Sequence, residues 1–338
     1  MHDRPAWARW FPRDASASLF CAAGISALVG IADILLCTTV AGDYGLTLFI
    51  GTPCVLGIGA PLLHGIGAPR SFWQCVLAAM VCQCALFMGM LVFGIEGIVC
   101  IAMAAPLWMS VAIVGASIAY PLHRWMWRGH MFRAGFPVAG LLLVLLIPMA
   151  GGAEHVARLQ PATIELTSTV EIDAPPEVVW RRLVEFPAMK RPTQWPFELG
   201  IAYPVRADLV GRGVGARRYC VFSTGSAAEN IRTWDEPREL AFDVLNTPEP
   251  MTEWTLYPGI HPPHLDGYLE SKEARFELIA LPGNRTRLVG TSWYTNRMFP
   301  GAYWRLWSDA IIHQVHVAVF AHVKALAEAD FRGGGTGR

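Results

Sequence analysis

His261, His264 and Asp266 fall within six positions, in the stretch IHPPHLDG. Two imidazoles and a carboxylate are ordinary ligands for zinc, which needs such groups converging at ~2.0–2.2 Å. The same groups suit general acid–base work. Pro262-Pro263 argues against the metal, because an extended proline segment rises ~3.1 Å per residue and sets the two imidazoles ~9 Å apart. Only His313 or His316, three apart in a later helical stretch, would complete a site by coming near. The expectation is no metal and no cofactor, with the His–Asp run anchoring or gating a loop.

Other chemistry-bearing patterns are thin. No Gly-x-Ser-x-Gly elbow is present, so the sequence offers no Ser-His-Asp hydrolase signature. Gly211-Arg-Gly-Val-Gly215 lies between strand-like runs rather than before a helix, which makes it a hairpin and not a nucleotide loop. The seven cysteines before residue 101 lie in apolar segments and read as small fillers. Asp33 is a carboxylate well inside an apolar run, and an intramembrane acid is a functional candidate unless a hydroxyl such as Thr38 or Thr39 satisfies it.

The segments that carry these residues divide the chain by chemistry. Of 338 residues, 53% are hydrophobic and 16% charged, against about 25% charged in an ordinary soluble domain. Between Ala15 and His123 the charged residues are Asp33, Asp43, Arg70 and Glu96. Five stretches, about 18–40, 46–67, 72–94, 97–120 and 135–152, match the ~20 apolar residues that span a bilayer. Arg4, Arg9, Arg13, Arg70, Arg124, Arg128 and Arg133 all fall on alternate connections, which places the N-terminus in the cytoplasm. Five spans then put the C-terminal half outside the cytoplasm, at a bacterial inner membrane. Formal net charge is zero, and no nucleic-acid partner is expected.

From Glu154 onward the charge density is that of a globular domain. The strand-like IELTSTVEIDA is followed by a helix, PPEVVWRRLVEF, with Asp173 as its expected N-cap. Further strand-like runs follow, and a long helix from about Gly301 to Asp330 closes the chain. In TVEIDAPPEVVWRRLVEF and in YWRLWSDAIIHQVHVAVFAHVKALAE, the chain resembles the START/polyketide-cyclase superfamily (SRPBCC) over about residues 162–330. That resemblance implies an α+β helix-grip: a curved sheet wrapped around the last helix, with an apolar cavity between them. Members of the superfamily bind lipids, sterols or polyketides, or carry cyclase or hydrolase chemistry. They share no single catalytic constellation, so no catalytic residue is carried over.

The expected organisation is a transmembrane bundle of five helices (1–153), a linker (154–161), the START-like domain (162–330) and a flexible tail (331–338). A 100° projection of the last helix puts Trp304, Trp307, Ile311, Val315 and His322 on the face toward the sheet. His322 is then the titratable group expected in the cavity and the candidate base. His313 and His316 project 120–180° away from that face. The connection 246–267 is long for an ordinary loop, and its Trp254 and Tyr257 are expected at the cavity mouth, as is the segment 185–197. The leading expectation is a membrane-anchored domain that binds a hydrophobic ligand, lipid or isoprenoid-like, for sensing or transfer. The alternatives are a cyclase/dehydratase-type enzyme acting on an apolar substrate, and a docking module for a membrane partner. Expected partners are the lipid bilayer, the apolar ligand, and a second copy or another membrane protein.

Overall fold

The computed structural model describes residues 10–41, 44–128, 161–257 and 259–334. They form two units: Met1–Gln160 with Glu253–Pro263 and Met298–Pro300, and Pro161–Thr252 with His264–Arg297 and Gly301–Arg338.

In the first unit the apolar stretches are helices. They are α1 (Ala15–Leu35), α2 (Thr52–His64), α3 (Phe72–Val92) and α4 (Ile98–Arg128). Asp14 starts α1 by accepting the Ala17 N–H at 2.8 Å, and Ser71 starts α3 with a full capping box to Gln74. A π-helical run, Leu36–Ala41, extends α1, and another, Thr47–Gly51, leads into α2. With these extensions, four helices among the described residues of this unit are long and apolar enough to cross a membrane, which makes the protein membrane-associated. The expected fifth span, 135–152, lies outside the described residues. Small residues let the helices meet closely. A Cβ on Gly57 would stand 2.5 Å from the Ala112 carbonyl oxygen, and one on Gly115 equally near that of Cys54. Asp33 is satisfied by a hydroxyl from a neighbouring helix, Thr52 on α2, which donates to it at 2.6 Å, and by the Cys37 thiol one turn on, at 3.9 Å. Thr38 instead bonds back to the Ile34 carbonyl.

In the second unit, seven strands make one antiparallel sheet, in the order β1-β7-β6-β5-β4-β3-β2. They are β1 (Thr163–Ile172), β2 (Pro204–Val210), β3 (Arg217–Phe222), β4 (Gly225–Asp235), β5 (Glu239–Val244), β6 (Leu269–Leu281) and β7 (Arg285–Asn296). Helix α5 (Pro176–Val184) and the short α6 (Trp195–Glu198) lie between β1 and β2, and α7 (Gly301–Gly334) follows β7. The cap of α5 is Pro175, not Asp173. The two prolines set the helical entry without a side-chain acceptor, and the Asp173 N–H goes to Glu328 on α7 instead. Helix α7 also meets the length and composition of a membrane span, but one of its faces lies on the sheet. Val319, Phe320, Val323 and Ala327 join Ile172, Leu183, Ile231, Leu240 and Leu288 in the core. The helix runs to Gly334, past the expected end of the domain at residue 330.

Gly290 on β7 sets how near α7 approaches. A Cβ there would stand 2.5 Å from the Phe320 ring and 3.0 Å from that of Phe276. Gly290→Ala should therefore destabilise this unit by about 1–3 kcal/mol, the usual cost of overpacking. Urea unfolding followed by tryptophan fluorescence checks this; an unchanged midpoint would show that the two rings yield freely.

Candidate ligand cavity and its polar wall

Strand alternation decides which side chains meet α7. On β3 the inward positions are Arg218, Cys220 and Phe222, and on β4 they are Ala227, Glu229 and Ile231. On β6 they include Ala274 and Phe276, and on β7 Leu288, Gly290, Ser292 and Tyr294. Sheet and helix leave a cavity of about 160 Å³ between them. Its wall is mostly apolar: Phe222, Phe242 and Phe276 from the sheet, and Ile311, Ile312, Val315 and Val319 from α7. Thr247–Pro250, the first part of the long connection, closes one side.

Two polar features interrupt this wall. The first is an ion pair. Arg218 and Glu229 are direct cross-strand partners, and Arg218 Nη1 meets Glu229 Oε2 at 2.5 Å with both side chains buried. Arg218 also donates to the carbonyls of Val184 (3.0 Å) and Leu183 (3.4 Å), which end α5 and lack helical partners. Its guanidinium lies over the rings of Phe242 and Phe186. Burial pushes the Glu229 carboxyl up from its ordinary range, and the adjacent guanidinium draws it back. The nearby Cys220 thiol is pushed up to about 12, mainly by burial, so it is no thiolate at neutral pH.

The second feature is a hydrogen-bonded chain across the sheet–helix boundary. Ser292 Oγ lies 2.8 Å from His316 Nε2. His316 Nδ1 lies 3.0 Å from Ser168 Oγ on β1, and Ser168 Oγ lies 2.9 Å from His313 Nδ1. Ser292 and His316 line the cavity, Ser168 and His316 are buried, and His313 is exposed. Desolvation, with a smaller contribution from His313, lowers the His316 pKa to about 4, so its imidazole is neutral at pH 7.

Several expected positions fall elsewhere. Ile311 and Val315 do line the cavity, but Trp304 and Trp307 do not. His322 lies in a separate shallow groove with Ala188, Met189 and Gln194 of the 185–197 segment. There its Nε2–H donates to the Pro187 carbonyl at 3.2 Å, and its ring meets Phe186 edge-on. His316, projected away from the sheet, faces it instead. Helix α7 is apolar nearly all round, so periodicity left its rotation undetermined, and hydroxyls on β1 and β7 captured the imidazole.

Trp254 and Tyr257 are also absent from the cavity, because the second part of the connection packs within the first unit. There the Trp254 carbonyl and the Glu253 carboxylate accept the Ile98 and Cys100 N–H groups that open α4. The Tyr257 hydroxyl donates to the Val92 carbonyl at 2.8 Å. His264 is buried, whereas His261 and Asp266 are exposed. The extended run expected there is instead a 3-10 turn, Pro263–Leu265.

Sequence reasoning passed over Arg218, Glu229, Ser168 and Ser292. The available signal was a charged or hydroxyl residue at the inward position of an alternating strand, as in RRYCVF and AAENIRTW.

Residues 163–289 match the family described as polyketide cyclase / dehydrase and lipid transport. Similar solved structures include the Zhui aromatase/cyclase of Streptomyces sp. R1128, at 17% identity over 49% of this chain and 94% of that one, with a TM-score of 0.32. Norcoclaurine synthase of Thalictrum flavum is 11% identical over 50% and 97%, with a TM-score of 0.32. A protein of Nitrosospira multiformis is 16% identical over 50% and 99%, with a TM-score of 0.31. Identities and scores this low carry nothing about activity. No match is found among curated proteins.

Proposed function

We infer that this chain, whose C-terminal domain matches the SRPBCC/polyketide-cyclase superfamily, holds an apolar ligand between its sheet and α7. The observation that carries this reading is the cavity itself, about 160 Å³. An apolar cavity of about 150 Å³ accepts benzene, so the buried part of the ligand is one aromatic ring or the end of an isoprenoid chain, rather than a whole lipid. A hydrogen-bonding oxygen on that ligand has partners in Ser292 and in the Arg218–Glu229 pair. On the membrane side, the alternating arginines favour a cytoplasmic N-terminus and an extracytoplasmic binding domain at a bacterial inner membrane. The division into a bundle at 1–153 and a grip domain at 162–330 follows the change in composition. Fusion of alkaline phosphatase to the C-terminus tests the orientation, and a silent fusion would reverse it.

A second reading, an enzyme of the cyclase/dehydratase kind, is favoured over passive carriage by one feature. Carriage needs only an apolar wall, whereas this wall holds a neutral imidazole bonded to a serine. The family's description names both dehydrase chemistry and lipid transport.

Titration of the detergent-solubilised chain with p-cresol or geraniol tests the binding. Saturating ligand should raise the melting temperature, since ~100-fold excess over Kd stabilises by about 2.7 kcal/mol. Val315→Trp, which fills the cavity, should abolish the shift. A melting temperature indifferent to both compounds would overturn the ligand reading.

A further inference from the structure

We propose that Ser292 and His316 are a nucleophile–base pair that cleaves an apolar ester seated in the cavity, with Ser168 and His313 linking the base to solvent. This rests on the cavity being a ligand site. Ser292 and His316 are 24 residues apart, on β7 and α7, and no sequence motif announces them. Nucleophilic catalysis requires a base within ~2.6–3.2 Å of the hydroxyl and a third group that orients the base. Ser292 Oγ to His316 Nε2 is 2.8 Å, and Ser168 holds Nδ1 at 3.0 Å.

The second imidazole answers a physical difficulty. A buried His316 resists becoming a cation, yet it must accept the serine proton. Ser168 has a single hydroxyl proton and touches Nδ1 of both histidines. When Ser292 Oγ bonds to the ester carbonyl carbon, its proton moves to His316 Nε2. The Nδ1 proton then moves to Ser168, and the proton of Ser168 moves to His313. The positive charge forms on the exposed ring, in water, and His316 stays neutral.

Breaking the carbonyl–alkoxy bond reverses the chain, and the alcohol leaves with the proton from Nε2. Water attacks the acyl-serine by the same route, releasing the carboxylic acid and restoring Ser292. No oxidant or reductant is needed. Cys220 is not a rival nucleophile, since its thiol stays protonated. The cavity's size selects esters with a single-ring or short branched acyl group.

Phenylmethanesulfonyl fluoride is a fitting probe, with one aromatic ring and a serine-reactive sulfonyl group. Full-length protein in detergent should gain one adduct, located on Ser292 by peptide mass spectrometry and prevented by p-cresol. Ser292→Ala should remove it while the variant keeps the far-ultraviolet circular dichroism of the parent. His316→Gln should slow labelling by roughly 100-fold or more, the usual scale of general-base assistance. Ser168→Ala should slow it too, and Ser168→Thr, which keeps the hydroxyl, should restore it. An unlabelled wild type that still shows the p-cresol shift would overturn the proposal and leave the ligand site standing. An adduct on any other residue would overturn it as well. Loss of both label and shift would overturn the two together.

Discussion

Glu229→Ala is expected to destabilise the C-terminal domain by about 3–5 kcal/mol, because it leaves the Arg218 guanidinium charged and unpaired among phenylalanines. The penalty is set by burial: both side chains are within a few per cent of full enclosure. Arginine cannot escape by losing its proton. Urea unfolding of the full chain in detergent, with hydrogen exchange at β3 and β4, measures the loss. Pairing Glu229→Ala with Arg218→Met should return part of the stability, since no buried charge then remains. The return is incomplete, because Arg218 also closes α5. Without it the Val184 and Leu183 carbonyls lose their donors, at about 1–3 kcal/mol for a buried group left unsatisfied. If the single and double variants were equally unstable, the charge would not be the cause and the α5 carbonyls would bear the whole effect.

Acid should unfold this domain partly through His316. Its proton is held with a pKa of 6.5 in the unfolded chain and about 4 in the folded one. Above pH 6.5 both states are neutral there and stability is unaffected. As pH falls below 6.5 the unfolded chain takes up the proton first, and each pH unit costs the fold about 1.4 kcal/mol until the folded ring also titrates. The loss approaches about 3 kcal/mol near pH 4, of which about 2 kcal/mol falls between pH 7 and pH 5. His316→Gln keeps a hydrogen-bonding side chain but has nothing to protonate. Its stability should be lower at pH 7 yet flatter from pH 7 to 5 than that of the parent. Parallel pH profiles for the two proteins would show that another group drives the acid loss.

The outcome for each expectation follows from the kind of signal behind it. Long apolar runs with capping residues are local, and Asp14 and Ser71 start α1 and α3. Alternation in TIELTSTVEI and RRYCVF is local too, and the strands form there. Pro262-Pro263 reads as an extended link between His261 and His264. Its turn at Pro263–Leu265 depends on what the flanking chain packs against, which two prolines alone do not specify. The connection 246–267 reads as one element in the sequence, but its first part closes the cavity and its second caps α4. Capping of α4 satisfies N–H groups that any helix leaves open, and nothing in the order of residues says which distant segment will do so.

By itself the sequence determined that an apolar helical half precedes an α+β half and which side chains of each strand share a face. Those properties arise from composition and from periods of 3.6 and 2 residues, which neighbouring residues alone establish. Only the tertiary structure decided that Arg218 meets Glu229, that His316 rather than His322 enters the cavity, and that Ser168 and Ser292 bracket it. Such pairs depend on strand register and on the rotation of α7 about its own axis. A helix apolar nearly all round has no local preference for that rotation. It was set by where two inward serines stood and by the space that Gly290 left for Phe320.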